Sequence, residues 1–76
     1  MRDTIQCIIY KGEEYYVAEC LDFPVVTQGK TLDEVVANLE EAIALHLEGE
    51  NLNELGFVSS PRLEIRIEAE KIPDVS

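Results

Sequence analysis

Gly29, Lys30 and Thr31 are the residues whose types and spacing come nearest to a chemical motif in this sequence. A glycine followed by lysine and threonine ends the phosphate-binding loop G-x-x-x-x-G-K-[ST], whose backbone N–H groups surround a nucleotide's phosphates. The first glycine of that loop would have to stand at Pro24, and proline has a fixed φ and no N–H to donate. We therefore interpret these residues as a turn followed by a helix cap.

Carboxylates are numerous enough to raise the question of metal-dependent chemistry. Acidic residues outnumber basic ones 16 to 6, and clustered carboxylates hold the metal ions of many nucleases. The glutamates on or beside the predicted helix fall mostly along its solvated side: Glu40, Glu41, Glu48 and Glu50. Asp22 is the best single candidate because it lies in a loop at a strand end. We predict a solvated acidic surface with no metal site, no cofactor and no enzymatic activity.

The two cysteines and the one histidine give little indication of catalysis. Cys7 and Cys20 lack a CxxC or Cys/His spacing, and no basic neighbour in sequence would lower the pKa of either thiol. Reduced thiols in a cytoplasmic protein are the expected state. His46 flanks an apolar helical stripe, and we expect it to be a partly buried packing residue.

Length and charge restrict the possible partners. The chain has 76 residues and a formal charge of −10, which opposes binding to nucleic acid or an anionic membrane and favours a basic partner. No apolar run is long enough for a membrane span or a targeting signal. We expect one cytoplasmic domain over 1–76 with no DNA-binding domain appended. So small a domain buries only about 60% of its unfolded surface, which favours association.

The chemistry-bearing residues must be positioned by four strands and one helix. Alternating and β-branched segments predict strands over 4–10, 15–20, 25–28 and 62–68. A helix should begin after Thr31, where T-L-D-E forms a capping box with Glu34, and end near Gly49. The order β-β-β-α-β predicts an α+β fold: one mostly antiparallel sheet with one helix on one face.

Alternation in the first two strands separates an inner face from an open one. Small apolar residues share the face expected under the helix: Ile5, Cys7, Ile9, Tyr16, Ala18 and Cys20. The other face carries the polar residues Gln6 and Glu19 and four apolar or aromatic residues: Ile8, Tyr10, Tyr15 and Val17. One helix covers one face of a sheet, so we predict that these four, with Asp22, form a partner or oligomer interface.

Residues 19–43, E-C-L-D-F-P-V-V-T-Q-G-K-T-L-D-E-V-V-A-N-L-E-E-A-I, resemble the signature of HicB-type antitoxins. That signature runs Asp-x-Pro-Gly, a short strand, Gln-Gly-x-Thr and a helix carrying Glu-Ala pairs. The matching positions are Asp22, Pro24, Gln28, Gly29, Thr31, Glu34, Asn38, Glu41 and Ala42. Pro24, Gly29, Thr31 and Glu34 form its structural motif. Val25 departs from the pattern, which commonly has glycine after the proline.

The resemblance implies a degenerate ribonuclease H-like fold that lacks the nuclease's full acidic set. It also implies a role: binding and blocking a small basic HicA-type ribonuclease toxin. The chain resembles the short, stand-alone form, for which we expect a homo-oligomer (dimer or tetramer) and no direct binding of nucleic acid or membrane. Two alternatives stay open: an orphan homo-oligomeric domain without a toxin, and a residual metal-dependent ribonuclease H-like nuclease that uses Asp22.

Overall fold

A computed structural model describes residues 1–68 and confirms the predicted order β-β-β-α-β. Its elements are β1 (Arg2–Lys11), β2 (Tyr16–Cys20), β3 (Val26–Gly29), α1 (Leu32–Leu47) and β4 (Phe57–Ile67). Within these residues the fold is α+β, with one four-stranded sheet and one helix.

The strands lie in the order β3-β2-β1-β4. The hairpin pair β1 and β2 is antiparallel, as is the pair β2 and β3. The last strand lies parallel to β1, because the crossover through α1 returns the chain to the far edge in the same direction. The sheet is therefore mixed but mostly antiparallel, as predicted.

Several strand boundaries differ from the prediction, most of them by one or two residues. The last strand begins at Phe57, five residues earlier than expected, and it runs through Pro61. A proline is tolerated there because an edge strand can leave one N–H position unused. The second strand begins at Tyr16, so Tyr15 lies in the connection, where its carbonyl accepts the Gly12 N–H at 2.7 Å.

The helix begins where the capping residues predict. The Thr31 hydroxyl oxygen accepts the Glu34 N–H at 3.1 Å, which satisfies one of the donors that an α-helix leaves unpaired in its first turn. The helix ends at Leu47, and Gly49 follows with φ of 80°, a conformation that glycine adopts without a steric penalty. At this end, too, the prediction is confirmed.

The hydrophobic core lies between α1 and the face of the sheet predicted to be inner. Its members are Ile5, Cys7, Ile9, Ala18, Cys20, Val25, Val35, Leu39, Ile43 and Phe57. The helix contacts β2 and β3 rather than β4. Consequently Leu63 and Ile65 of β4 are only half-buried, and Ile67 is 60% exposed.

Gly29 has a different role from the one predicted. It is the last residue of β3 and does not adopt a positive φ, so it does not reverse the chain through a special backbone conformation. A Cβ atom at this position would lie 2.7 Å from the Val35 N atom and 2.9 Å from its Cα atom. Glycine is required because the first turn of the helix packs directly on the strand.

Candidate interaction surface

The face of the sheet turned away from α1 carries three of the four predicted patch residues. Tyr10 lies opposite Val17, and Ile8 lies opposite Glu19, which places Ile8, Tyr10 and Val17 together as the alternation predicts. All three are half-buried. Tyr15 precedes β2, so its side of the sheet is not set by the strand register. We call Ile8, Tyr10 and Val17 the open-face patch.

Val26 extends the apolar surface and was missed in the sequence. It pairs with Glu19 in the register of β2 and β3, so it lies on the same face as the open-face patch. Its side chain is 65% exposed. Continuing the alternation from the hairpin into the third strand would have found it.

Charged side chains border the open-face patch on β4. The register pairs Arg66 with Ile8, Glu64 with Gln6 and Arg62 with Thr4. Opposite side chains of paired strands lie on the same face, so the charges of β4 lie beside the apolar residues of β1. The open surface thus carries apolar residues on β1 to β3, with Glu19 between Ile8 and Val26, and charged residues along β4.

Asp22 holds the loop after β2 against β1. The Arg2 guanidinium donates to Asp22 Oδ1 and forms a salt bridge with it, while the Gln6 N–H donates to Asp22 Oδ2 at 2.8 Å. The Arg2 guanidinium also lies 4.9 Å from the centre of the Phe57 ring. Both carboxylate oxygens thus have partners within the chain, and the side chain is only 9% exposed. A role for Asp22 at an interface stays a prediction.

Within residues 1–68, no three His, Cys, Asp or Glu side chains are grouped closely enough to share a metal ion. Asp22, the predicted candidate, is paired with a guanidinium. A cation in that position would have to compete with Arg2 for the same oxygens.

The two cysteines face each other in the core. Cys7 and Cys20 are directly opposite in the β1–β2 register, and both are buried free thiols. Burial, together with the neighbouring Cys20 and Asp22, raises the pKa of the Cys7 thiol from 9.0 to about 12. A thiol that is buried and protonated in this way is a poor nucleophile.

His46 is exposed, contrary to the expectation of partial burial. It nevertheless packs against an aromatic neighbour, since its ring centre lies 5.5 Å from that of Phe23, which in turn lies 5.5 Å from Phe57. The last turn of the helix leaves one side of the ring in solvent.

No family model, curated protein or solved structure matches this chain. The resemblance to HicB-type antitoxins therefore stays a prediction based on residues 19–43.

The exposed surface of the molecule is strongly acidic. Within residues 1–68, every Asp and Glu other than Glu19 and Asp22 is exposed. Over the same residues the single ion pair is that of Arg2 with Asp22. These exposed acidic side chains thus face solvent without a basic partner among residues 1–68. Within residues 1–68, the helix α1 is not long and apolar enough to cross a membrane.

Proposed function

We propose that this chain is a non-enzymatic binding protein that neutralises a small basic ribonuclease toxin of the HicA type by covering its RNA-binding surface. The observation that carries the proposal is the combination of exposed carboxylates that form no ion pair within residues 1–68 and a half-buried apolar patch on the open sheet face. The toxin class comes from the resemblance of residues 19–43 to HicB-type antitoxins.

A ribonuclease must bind phosphates, and it does so with a basic surface. An acidic protein can occupy that surface because its carboxylates replace the phosphates as partners of Lys and Arg. Complementary charge mainly raises the association rate and the specificity. We expect the rate of complex formation to fall as salt is added, while the dissociation rate changes less.

The open-face patch supplies the apolar contact that charge alone does not provide. Binding energy in protein interfaces concentrates in a few desolvated side chains, among which tyrosine is enriched. Tyr10 is half-buried, and Ile8 and Val17 are its apolar neighbours on the same face of the sheet. We propose Tyr10 as the anchor, with Ile8 and Val17 excluding water around it.

Co-expression tests the proposal. The toxin used is the product of a neighbouring open reading frame that encodes a short basic protein, and growth is the measurement. We expect the wild-type chain to restore growth and to be recovered with the toxin in a pull-down. The variant Ile8→Asp should lose both, because it places a charge in the apolar contact.

Leu45→Asp is the matched control. Leu45 is a helix residue that is 62% exposed and lies on the other side of the molecule from the open-face patch, so the same kind of substitution should leave rescue intact. Circular dichroism confirms that both variants are folded. A folded wild-type chain that binds no such toxin would refute the proposed function and favour the orphan-domain alternative.

The nuclease alternative has its own assay. Purified chain with Mg²⁺ or Mn²⁺ is incubated with an RNA–DNA hybrid, and cleavage is compared with that of Asp22→Asn. Cleavage by the wild-type chain that disappears in Asp22→Asn would support the nuclease. No cleavage, or cleavage unchanged in the variant, removes it.

A further inference from the structure

The last strand presents an open hydrogen-bonding edge. In the sheet of residues 1–68, β4 pairs with β1 on one side and has no neighbour on the other. The Glu68 N–H donates to the Ile9 carbonyl at 2.8 Å, so even-numbered residues of β4 direct their backbone groups toward β1. Successive residues of a strand direct these groups to opposite sides. Leu63, Ile65 and Ile67 therefore direct their N–H and C=O groups outward.

The sequence of the same strand protects this edge poorly. Natural proteins cover long edges, or interrupt them with charges that point inward. Here the charged residues lie on the open face, and the inner-face residues Leu63, Ile65 and Ile67 are apolar and incompletely covered by the helix. Pro61, whose missing N–H would point outward, limits pairing on its N-terminal side. The segment suited to pairing therefore begins after Pro61.

We propose that two copies of this chain associate through β4, edge to edge and antiparallel, with Ile65 opposite Ile65 of the second copy. In this register Leu63 lies opposite Ile67 of the second copy. The three pairs centred on residue 65 are those whose backbone groups point outward, so each can exchange two hydrogen bonds across the interface. The proposal concerns the chain alone and does not depend on the proposed toxin.

Charge complementarity selects this register. On the open face, Arg62 lies opposite Glu68 of the second copy and Glu64 lies opposite Arg66, so two-fold symmetry produces four cross-strand ion pairs from the alternating Arg and Glu of one strand. On the inner face, every pair is apolar. One register therefore pairs opposite charges on the open face and apolar side chains on the inner face.

Neighbouring registers are poorer. Centring the pair on Leu63 places Pro61 opposite Ile65 and Ser60 opposite Arg66, which leaves two ion pairs and loses a backbone donor. A shift by one residue would exchange the two faces of one strand and place charged residues against the apolar ones. The symmetric register on Ile65 therefore has the best-matched contacts.

The same segment reduces electrostatic repulsion between copies. The whole chain carries −10, which opposes self-association over most of its surface. Arg62, Glu64, Arg66 and Glu68 together are neutral, and they include two of the chain's six basic residues. Two copies can thus approach at β4 with less repulsion than elsewhere. The product is one eight-stranded sheet with both helices on the same side.

Charge reversal tests the pairing by sedimentation equilibrium of the purified chain. Glu64→Arg and Arg66→Glu each replace two ion pairs with two like-charge pairs, and each should weaken dimerisation about tenfold or more. The double variant E64R/R66E restores opposite charges and should recover most of the wild-type affinity. Glu54→Arg and Lys30→Glu are exposed controls with the same changes in net charge.

Cysteine cross-linking tests the register. Opposite residues in hydrogen-bonded antiparallel pairs lie about 5.5 Å apart between Cα atoms, within the range of a disulfide. Ile65→Cys should form a covalent dimer on oxidation. Leu63→Cys alone should not, because the two copies of residue 63 would be about 13 Å apart along the strands. A mixture of Leu63→Cys and Ile67→Cys should cross-link.

Three results would overturn the proposal: a monomeric wild-type chain at several hundred micromolar, a dimer whose affinity is unchanged in both single charge variants, or a Leu63→Cys chain that cross-links to itself as readily as Ile65→Cys. These measurements use the chain without a toxin. Their failure would thus leave the proposed function untouched, and failure of the toxin assay would not affect the dimer.

Discussion

Both carboxylate oxygens of Asp22 are bound by groups of the chain itself. The sequence placed it in a loop, where carboxylates often act on a ligand, but its oxygens accept bonds from Arg2 and from the Gln6 N–H. Gln6 lies on β1 and Asp22 follows β2, so one side chain links the loop to the neighbouring strand. At this scale the carboxylate holds the loop after β2 against β1.

We predict that Asp22→Ala lowers the free energy of unfolding by about 1–3 kcal/mol, because the Gln6 N–H loses its acceptor and Arg2 loses its ion-pair partner. Asp22→Asn should cost less, since its amide oxygen can still accept that N–H. Arg2→Ala measures the ion pair separately. Urea denaturation measures the free energy of unfolding of the three variants. Equal losses of stability in Asp22→Ala and Asp22→Asn would contradict the prediction.

Cys7 makes stability dependent on alkaline pH. Its pKa is about 12 in the folded chain and 9.0 ordinarily, so the folded state retains the proton more strongly than the unfolded state. The stabilisation is complete below about pH 9 and is lost as the pH rises from 9 toward 12. Unfolding by urea between pH 8 and pH 10.5 should show this decline.

Cys7→Val is the matched control for that decline. It removes the thiol but keeps a small apolar side chain on the inner face, and it changes no other titratable residue of the sequence. The variant should lose less stability over the same pH interval. Parallel pH profiles for the two proteins would show that the Cys7 thiol does not cause the effect.

Among the elements, β3 and α1 pack closely enough to exclude a side chain at one position. Gly29 ends the strand against the backbone of Val35, and the Asn38 side-chain amide donates to the Gln28 carbonyl at 2.9 Å. The cap at Thr31 starts the helix within the same short segment. The stretch from 28 to 38 therefore sets the position of the helix on the sheet.

We predict that Gly29→Ala destabilises the protein by about 1–3 kcal/mol, because the added Cβ forces the helix backbone away from the strand. Thermal unfolding followed by circular dichroism measures the loss. Gln28→Ala is the control: its side chain is exposed, and its carbonyl still accepts the Asn38 amide. A Gly29→Ala protein as stable as this control would refute the close-packing role.

At the scale of the whole molecule, unbalanced charge is the dominant property. A formal charge of −10 on 76 residues produces repulsion between carboxylates that compaction brings together. Ordinary salt concentrations screen such repulsion, since the Debye length is about 10 Å at 0.1 M ionic strength. The surface that would attract a basic partner therefore also reduces the stability of the isolated chain.

We predict that sodium chloride raises the urea midpoint between roughly 0.02 and 0.5 M, where screening grows most. The variant E50K/E54K, with two exposed carboxylates of the connection after α1 reversed, should start from a higher midpoint at low salt and respond less. A midpoint that falls with salt in the wild-type chain would show that attractive pairs outweigh the repulsion.

Much of the fold followed from the sequence because its signals are local. Alternation in β1 and β2 placed Ile8, Tyr10 and Val17 on one face, and the hydroxyl of Thr31 marked the helix start. These patterns depend on strand geometry and on the unpaired N–H groups of a first helical turn, which any surrounding fold must satisfy. The start of β4 was missed because Pro61 interrupts the strand pattern without ending the strand.

The partners of Asp22 and the contact of Gly29 could not be predicted in the same way. Arg2 and Asp22 are twenty positions apart, and nothing in their local sequence marks them as a pair. Glycine at 29 fits a turn and a close approach equally well when only its neighbours in sequence are considered. The outcome depends on where α1 lies, which is a tertiary property.

The sequence by itself determined the elements, their order, the two faces of the hairpin and the acidic surface, because each depends on residue type and on spacing along the chain. Only the tertiary structure decided that the helix lies over β2 and β3, that β4 is a long parallel edge strand, and that Arg2 and Gln6 bind the Asp22 carboxylate. These depend on contacts between distant segments. The open edge that could join two copies is also a tertiary property, because a strand lies at an edge only when no other strand pairs with one of its sides.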